Sequence, residues 1–144
     1  KGLLTTGNIG GKKVYAIKPL TFMNNSGICI RELIEYFKIE SENVIVFHDD
    51  LDIDFGKIKA KFGGSSAGHN GIESIDKFIG KDYSRIRIGI GKPEKNSDVT
   101  DHVLKDFDEE EIKDLKKITT NITDSLSILL DKKLDLFSST VNNN

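Results

Sequence analysis

The chain has 144 residues, a net charge of −2, 37% apolar residues and 31% charged ones. That length suits one domain with one hydrophobic core, and the charge argues against an indiscriminate nucleic-acid binder. No apolar run approaches a membrane span and no signal-peptide pattern opens the chain. With Cys29 as the single cysteine there is no disulfide framework and no Cys-based metal site, so a cytosolic setting is expected.

The small net charge conceals an asymmetry. Residues 57–95 hold nine Lys and Arg against four Asp and Glu, whereas residues 98–135 hold six against eleven. A local basic surface on a mildly acidic chain fits a partner carrying a few phosphates; two solvated faces fit equally well.

In chain order, the first predicted element is a hairpin, LLTTGNIGGKKVYAIK, turning at Gly10-Gly11. PLTFMNNSG then leads into a helix whose apolar positions Ile30, Leu33, Ile34 and Phe37 recur at helical spacing. Val44 to Phe47 form a continuous apolar run, as in a strand covered on both faces, and its C-terminal end delivers His48, Asp49 and Asp50. In open α/β sheets that end is where ligands bind.

GKIKAKF alternates, with Ile58, Ala60 and Phe62 on one face and Lys57, Lys59 and Lys61 on the other. The loop GGSSAGHNG follows, then a helix from about Asn70 carrying Ile72, Ile75, Phe78 and Ile79, with Gly80 as its C-cap. SRIRIGIG alternates again, setting Ile86, Ile88 and Ile90 against Arg85 and Arg87. A polar connector over residues 91–98 leads to an acidic helical region. Asp108 and Glu111 form a capping-box pattern there, with Phe107 and Ile112 as a hydrophobic staple. A single helix is predicted to carry Leu115, Ile118, Ile122, Leu126 and Leu129 toward the core. The order of elements predicts an α/β fold in one domain over residues 1–144, a mixed twisted β-sheet flanked by helices.

Four stretches are able to carry chemistry. In the glycine loop, unpaired backbone amides and missing side chains admit a close ligand, but no Walker pattern ends it; a plain turn with Asn70 as N-cap is the structural alternative. In HDDLD, His48 and Asp49 project to opposite faces of a strand, which disfavours a shared metal ion; a carboxylate orienting a histidine is the better use. In TFMNNSG, an asparagine serves either as a helix cap or as an uncharged amide that holds a water or polarises a carbonyl. Lys59, Lys61 and Arg87 make a phosphate clamp if their strands are neighbours, and an ordinary solvated face if not.

Taken together, KPLTFMNNSG (18–27), VFHDDLDIDFGKIKAKFGGSSAGHNGIESI (46–75) and YSRIRIGIGKP (83–93) resemble bacterial peptidyl-tRNA hydrolase. The resemblance implies a three-layer α/β/α fold and a cytoplasmic monomer. It also implies hydrolysis of the ester between peptide and tRNA, without metal or cofactor. The implied partner is peptidyl-tRNA, through its acceptor stem, 3′ end and peptide. By motif position, Asn24 corresponds to the asparagine that positions water and the substrate carbonyl, and Asp49 to the carboxylate that orients the catalytic histidine. His69 and Asn70 correspond to the pair lining the substrate channel, Met23 to a crevice residue, and Lys59, Lys61 and Arg87 to the clamp on the tRNA 5′ phosphate.

The family's opening Asn-Pro-Gly turn and Thr-Arg-His-Asn segment, whose histidine is the general base, have no counterpart here. The three histidines are His48, His69 and His102. The expectation is therefore an N-terminally incomplete domain with little hydrolase activity on its own. Two readings compete with hydrolysis: a tRNA- or phosphate-binding module without catalysis, and a metal-dependent phosphohydrolase built on HDDLD.

Overall fold

A computed structural model describes residues 2–94 and 98–143 of the chain. The connector expected over 91–98 includes residues 95–97, which lie outside the described residues.

Strands β1 (Gly2–Ile9) and β2 (Lys12–Pro19) form an antiparallel pair in which Ile9 faces Lys12. Gly10 and Gly11 alone make the turn, at φ +56° and +79°. Two successive positive φ values match the right-handed twist of a hairpin and favour glycine at both positions. The expected hairpin is thus present as a two-stranded sheet of its own.

A second sheet has the order β3-β5-β4, from β3 (Ile45–Asp50), β4 (Ile58–Phe62) and β5 (Ser84–Gly89). Ser84 N donates to Val44 O and Ile90 N to Asp50 O, so β3 and β5 run in the same direction. Gly63 N donates to Tyr83 O and Gly89 N to Lys57 O, so β4 and β5 run in opposite directions. The sheet is mixed, as expected. The both-face burial expected of β3 fails at Phe47, which stays 42% exposed.

The residues fall into two compact units, 1–46 with 62–85 and 47–61 with 86–144. In the first, α1 (Ser26–Phe37) and α2 (Asn70–Ile79) pack through a core of Ile30, Ile72, Ile75 and Tyr83, joined by Ile17, Ile34, Val44, Val46 and Ile79. The approach of the helices is close because Gly27 has no side chain. Its N–H donates to Ser74 Oγ at 2.9 Å. A Cβ at Gly27 would lie 2.6 Å from the Ser74 carbonyl carbon and 2.7 Å from Phe78 Cδ2. Lys38, in the left-handed region, ends α1, and Gly80 ends α2.

The second unit contains α3 (Val99–Leu104), α4 (Glu109–Asp124), α5 (Leu126–Leu130) and α6 (Leu134–Asn142). The capping box of Asp108 and Glu111 opens α4 as expected. Phe107 sets its ring edge against Phe55, 6.0 Å between centroids, and Ile112 is 43% exposed. The single helix expected through Leu129 breaks at Ser125. Thr119, Thr120 and Thr123 each bond back to the carbonyl four residues earlier, which loosens and bends a helix just before that break.

The free edge of β4 is covered by side chains of α6. Asn142 accepts from Ile58 N at 3.0 Å through Oδ1 and donates to Ile58 O at 2.7 Å through Nδ2. Ser138 Oγ accepts from Ala60 N at 2.8 Å. A side-chain amide here takes the place of a neighbouring strand, satisfying backbone groups of a residue that is 0% exposed.

Candidate functional site

In the first unit the site begins at a short 3-10 turn, Met23–Asn25, that feeds α1. Ser26 Oγ donates to Met23 O at 2.8 Å and closes the turn. Of the two asparagines, Asn25 occupies the N-cap position of α1, without a side-chain bond, and Asn24 is exposed. Beside it lies an open depression of about 390 Å³ lined by Leu20, Thr21, Phe22 and Asn25.

The start of α2 faces the same turn. A Cβ at Gly71 would lie 2.6 Å from Met23 Sδ and 3.0 Å from His69 Cε1, so both side chains crowd the bare glycine. The capping role that composition offered to Asn70 belongs to His69 instead. His69 Nδ1 accepts from Gly71 N at 3.1 Å and Ile72 N at 3.2 Å. Two backbone N–H groups aimed at Nδ1 require a lone pair there, which places the ring proton of neutral His69 on Nε2. Asn70 is the first helical residue, its side chain released from capping and exposed. The structure thus brings Met23 and His69 together at Gly71 in one unit, with Asn24 and Asn70 their neighbours in the chain.

Asp49, Lys59, Lys61 and Arg87 belong to the second unit. Lys59 and Lys61 are exposed on β4, and Arg87 stands on β5, the central strand between β3 and β4. Arg87 Nε donates to Asp50 Oδ2 at 2.8 Å, and Asp50 Oδ1 accepts from Asp52 N at 2.8 Å. Burial alone would raise the Asp50 carboxyl, but the Arg87 bond, the Asp52 N–H and the charges of Arg87 and His48 outweigh it, and its pKa falls below the usual value. Asp49 is half-buried, and its carbonyl accepts from His48 Nδ1 at 2.9 Å. Among the described residues no group of three or more His, Cys, Asp or Glu stands close enough to hold a metal ion.

Three features escape the sequence reading. Asp50, the second acid of HDDLD, bonds Arg87. Arg85, grouped with Arg87 on a basic face, is instead 2% exposed and paired with Asp76 at 2.8 Å. His102 donates from Nε2 to Gly91 O at 2.9 Å and Ile90 O at 3.2 Å, tying α3 to the end of β5. Alternation along SRIRIG signalled a shared face for the two arginines, but no local pattern reports that one of them is covered.

The class the fold defines is α/β, with a mixed three-stranded sheet and a separate two-stranded hairpin. A family model described as Peptidyl-tRNA hydrolase matches residues 1–144. The chain is 81% identical over 143 residues to the peptidyl-tRNA hydrolase of Pelagibacter ubique, covering 99% of this chain and 77% of that one. It is 49% identical over 125 residues to the Aliarcobacter butzleri protein of the same name, covering 87% and 68%. A crystal structure of peptidyl-tRNA hydrolase from Acinetobacter baumannii superposes with a TM-score of 0.88 at 31% identity, covering 98% of this chain and 72% of that one. The chain belongs to the peptidyl-tRNA hydrolase family, a family of enzymes. The expectation of an incomplete, inactive domain gains no support from these matches, which run along the whole chain. Among the described residues no helix is long and apolar enough to cross a membrane.

Proposed function

We propose that the residues of this chain serve hydrolysis of the ester joining a peptide to the terminal ribose of tRNA, as one domain acting as a monomer in the cytoplasm. The observation that carries the reading is the contact of Met23 and His69 at Gly71, which brings together the segments bearing the exposed amides Asn24 and Asn70. In the reaction a water oxygen bonds to the ester carbonyl carbon and the carbonyl–ribose C–O bond breaks. The displaced ribose oxygen takes a proton, leaving free peptide and tRNA.

Asn24 donates from its NH2 to the carbonyl oxygen as negative charge develops and accepts from the attacking water through its C=O, both from one uncharged side chain. Asn70 holds the terminal nucleotide. Asp49 corresponds to the carboxylate that orients a general-base imidazole, a position that none of His48, His69 and His102 occupies by motif. Lys59, Lys61 and Arg87 take the 5′ phosphate, Arg87 with Asp50 at its back. His69 is a poor general base because its lone pair is committed to two backbone N–H groups and its other nitrogen carries the proton. It serves the site as the cap that aims Asn70.

The test is cleavage of N-acetylaminoacyl-tRNA by the purified chain and by Asn24→Ala. Turnover that falls about 100-fold in the variant supports the reading. Salt-sensitive tRNA binding with no ester cleavage favours the non-catalytic binding module instead.

A further inference from the structure

Arg85 makes three contacts that the clamp does not require. Its Nη2 donates to Asp76 Oδ1 at 2.8 Å. Its guanidinium lies over the Tyr83 ring, 4.8 Å from the centroid. Its Nη1 donates to the Ser65 carbonyl at 3.0 Å, reaching from β5 into the glycine loop. Tyr83, itself 0% exposed, donates its hydroxyl to the same Asp76 oxygen at 2.7 Å. Burial, reinforced by the Asp76 bond, pushes that hydroxyl well above the ordinary tyrosine range. A buried guanidinium is tolerated only when its charge is paired, and Asp76 supplies the pair. The planar fork then has a second arm to spend on a carbonyl, which an ammonium with a single point of charge lacks.

The loop needs such a hold. Gly63, Gly64, Ala67 and Gly68 all adopt positive φ, so its backbone is set by few local restraints. Gly63 N bonds to Tyr83 O at one end, and His69 N bonds to Ser66 O at the other, both near 3 Å. Ala67 N donates to Ser65 Oγ at 3.1 Å, so the residue that Arg85 grips also organises the next turn. The chain therefore passes from a buried ion pair, through Ser65 and Ser66, directly to the His69 cap and Asn70.

We propose that Arg85 is a positioning residue: it fixes the glycine loop through the Ser65 carbonyl and thereby sets the place of His69 and Asn70 toward substrate. The anchoring stands on geometry alone, and its catalytic consequence rests on the hydrolase reading. Arg85→Lys keeps the charge opposite Asp76 while giving up the second arm. Amide hydrogen exchange at Ala67 and His69, whose N–H groups are bonded inside the loop, is expected to quicken about tenfold. KM for N-acetylaminoacyl-tRNA is expected to rise about fivefold while kcat stays within about twofold. Tyr83→Phe, which keeps the ring and removes one donor to Asp76, is expected to quicken the same amides by a smaller factor, about threefold. Unchanged exchange at Ala67 and His69 in both folded variants would overturn the anchor, and a quickened loop with unchanged KM would overturn the positioning role. Absence of turnover in the unaltered chain would instead count against the hydrolase reading, and exchange would still decide the anchor.

Discussion

Arg87 and Asp50 meet through a single defined bond, Nε to Oδ2 at 2.8 Å, with Arg87 partly exposed and Asp50 nearly covered. The carboxylate holds the inner edge of the guanidinium and leaves the two Nη groups without a bond among the described residues. The Asp50 carboxyl has a lowered pKa in the folded state. Its contribution to stability is therefore present above the ordinary value of 3.8 and is lost as pH falls through the folded value. Asp50→Asn is expected to flatten that acid limb in urea titrations between pH 5 and about pH 2, the range over which such a carboxylate protonates.

The same pair governs recognition if the clamp reading holds. Arg87→Ala is expected to raise KM about tenfold for a substrate bearing a 5′ phosphate and to leave a 5′-hydroxyl substrate nearly unchanged. Equal losses on both substrates would move Arg87 out of the phosphate site. Asp50→Asn is expected to show a milder form of the same selective loss, because the arginine stays but is no longer held.

His69 caps α2 with two backbone bonds. His69→Ala is expected to lower stability by about 1 kcal/mol, and His69→Asn to restore most of it, since asparagine is a favourable N-cap. Denaturant midpoints for the three proteins check this. A full loss in the asparagine variant would show that packing against Gly71, rather than the cap, is what His69 supplies.

Gly27 permits α1 and α2 to touch. Gly27→Ala is expected to destabilise by about 1–3 kcal/mol through overpacking against Ser74 and Phe78. Gly10→Ala, at a turn with nothing within 4 Å, is expected to cost about 1 kcal/mol for its positive φ alone. Thermal melts of the two variants separate crowding from backbone strain.

Much of the fold was legible because its signals are local. Gly10-Gly11, the period of Ile30, Leu33, Ile34 and Phe37, the Asp108 and Glu111 box and the Gly80 cap each announce themselves within a few residues. What failed was decided by distant neighbours. Arg85 and Arg87 share a strand face by alternation, yet Asp76 and Tyr83 bury one of them. Asn70 was a candidate cap by type, and the structure hands that capping to His69, while an asparagine of TFMNNSG, Asn25, does take the N-cap position of α1. At Ser125 the apolar period continues through the break, so periodicity alone carried the helix too far. The candidate site residues came from motif resemblance. Their partners Asp50, Asp76 and Ser65 required coordinates.

The amide of Asn142 that stands in for a strand beside Ile58 has a consequence for the chain in a crowded cell. If the last turn of α6 lifts, β4 is left with open N–H and C=O groups, the template on which a second chain can add. Lys57, Lys59 and Lys61 lie along that same stretch, and a second copy in register would bring like charges together. Lys59 and Lys61, the two lysines proposed for the phosphate, would thus also repel a copy of their own strand, with Lys57 adding to the repulsion.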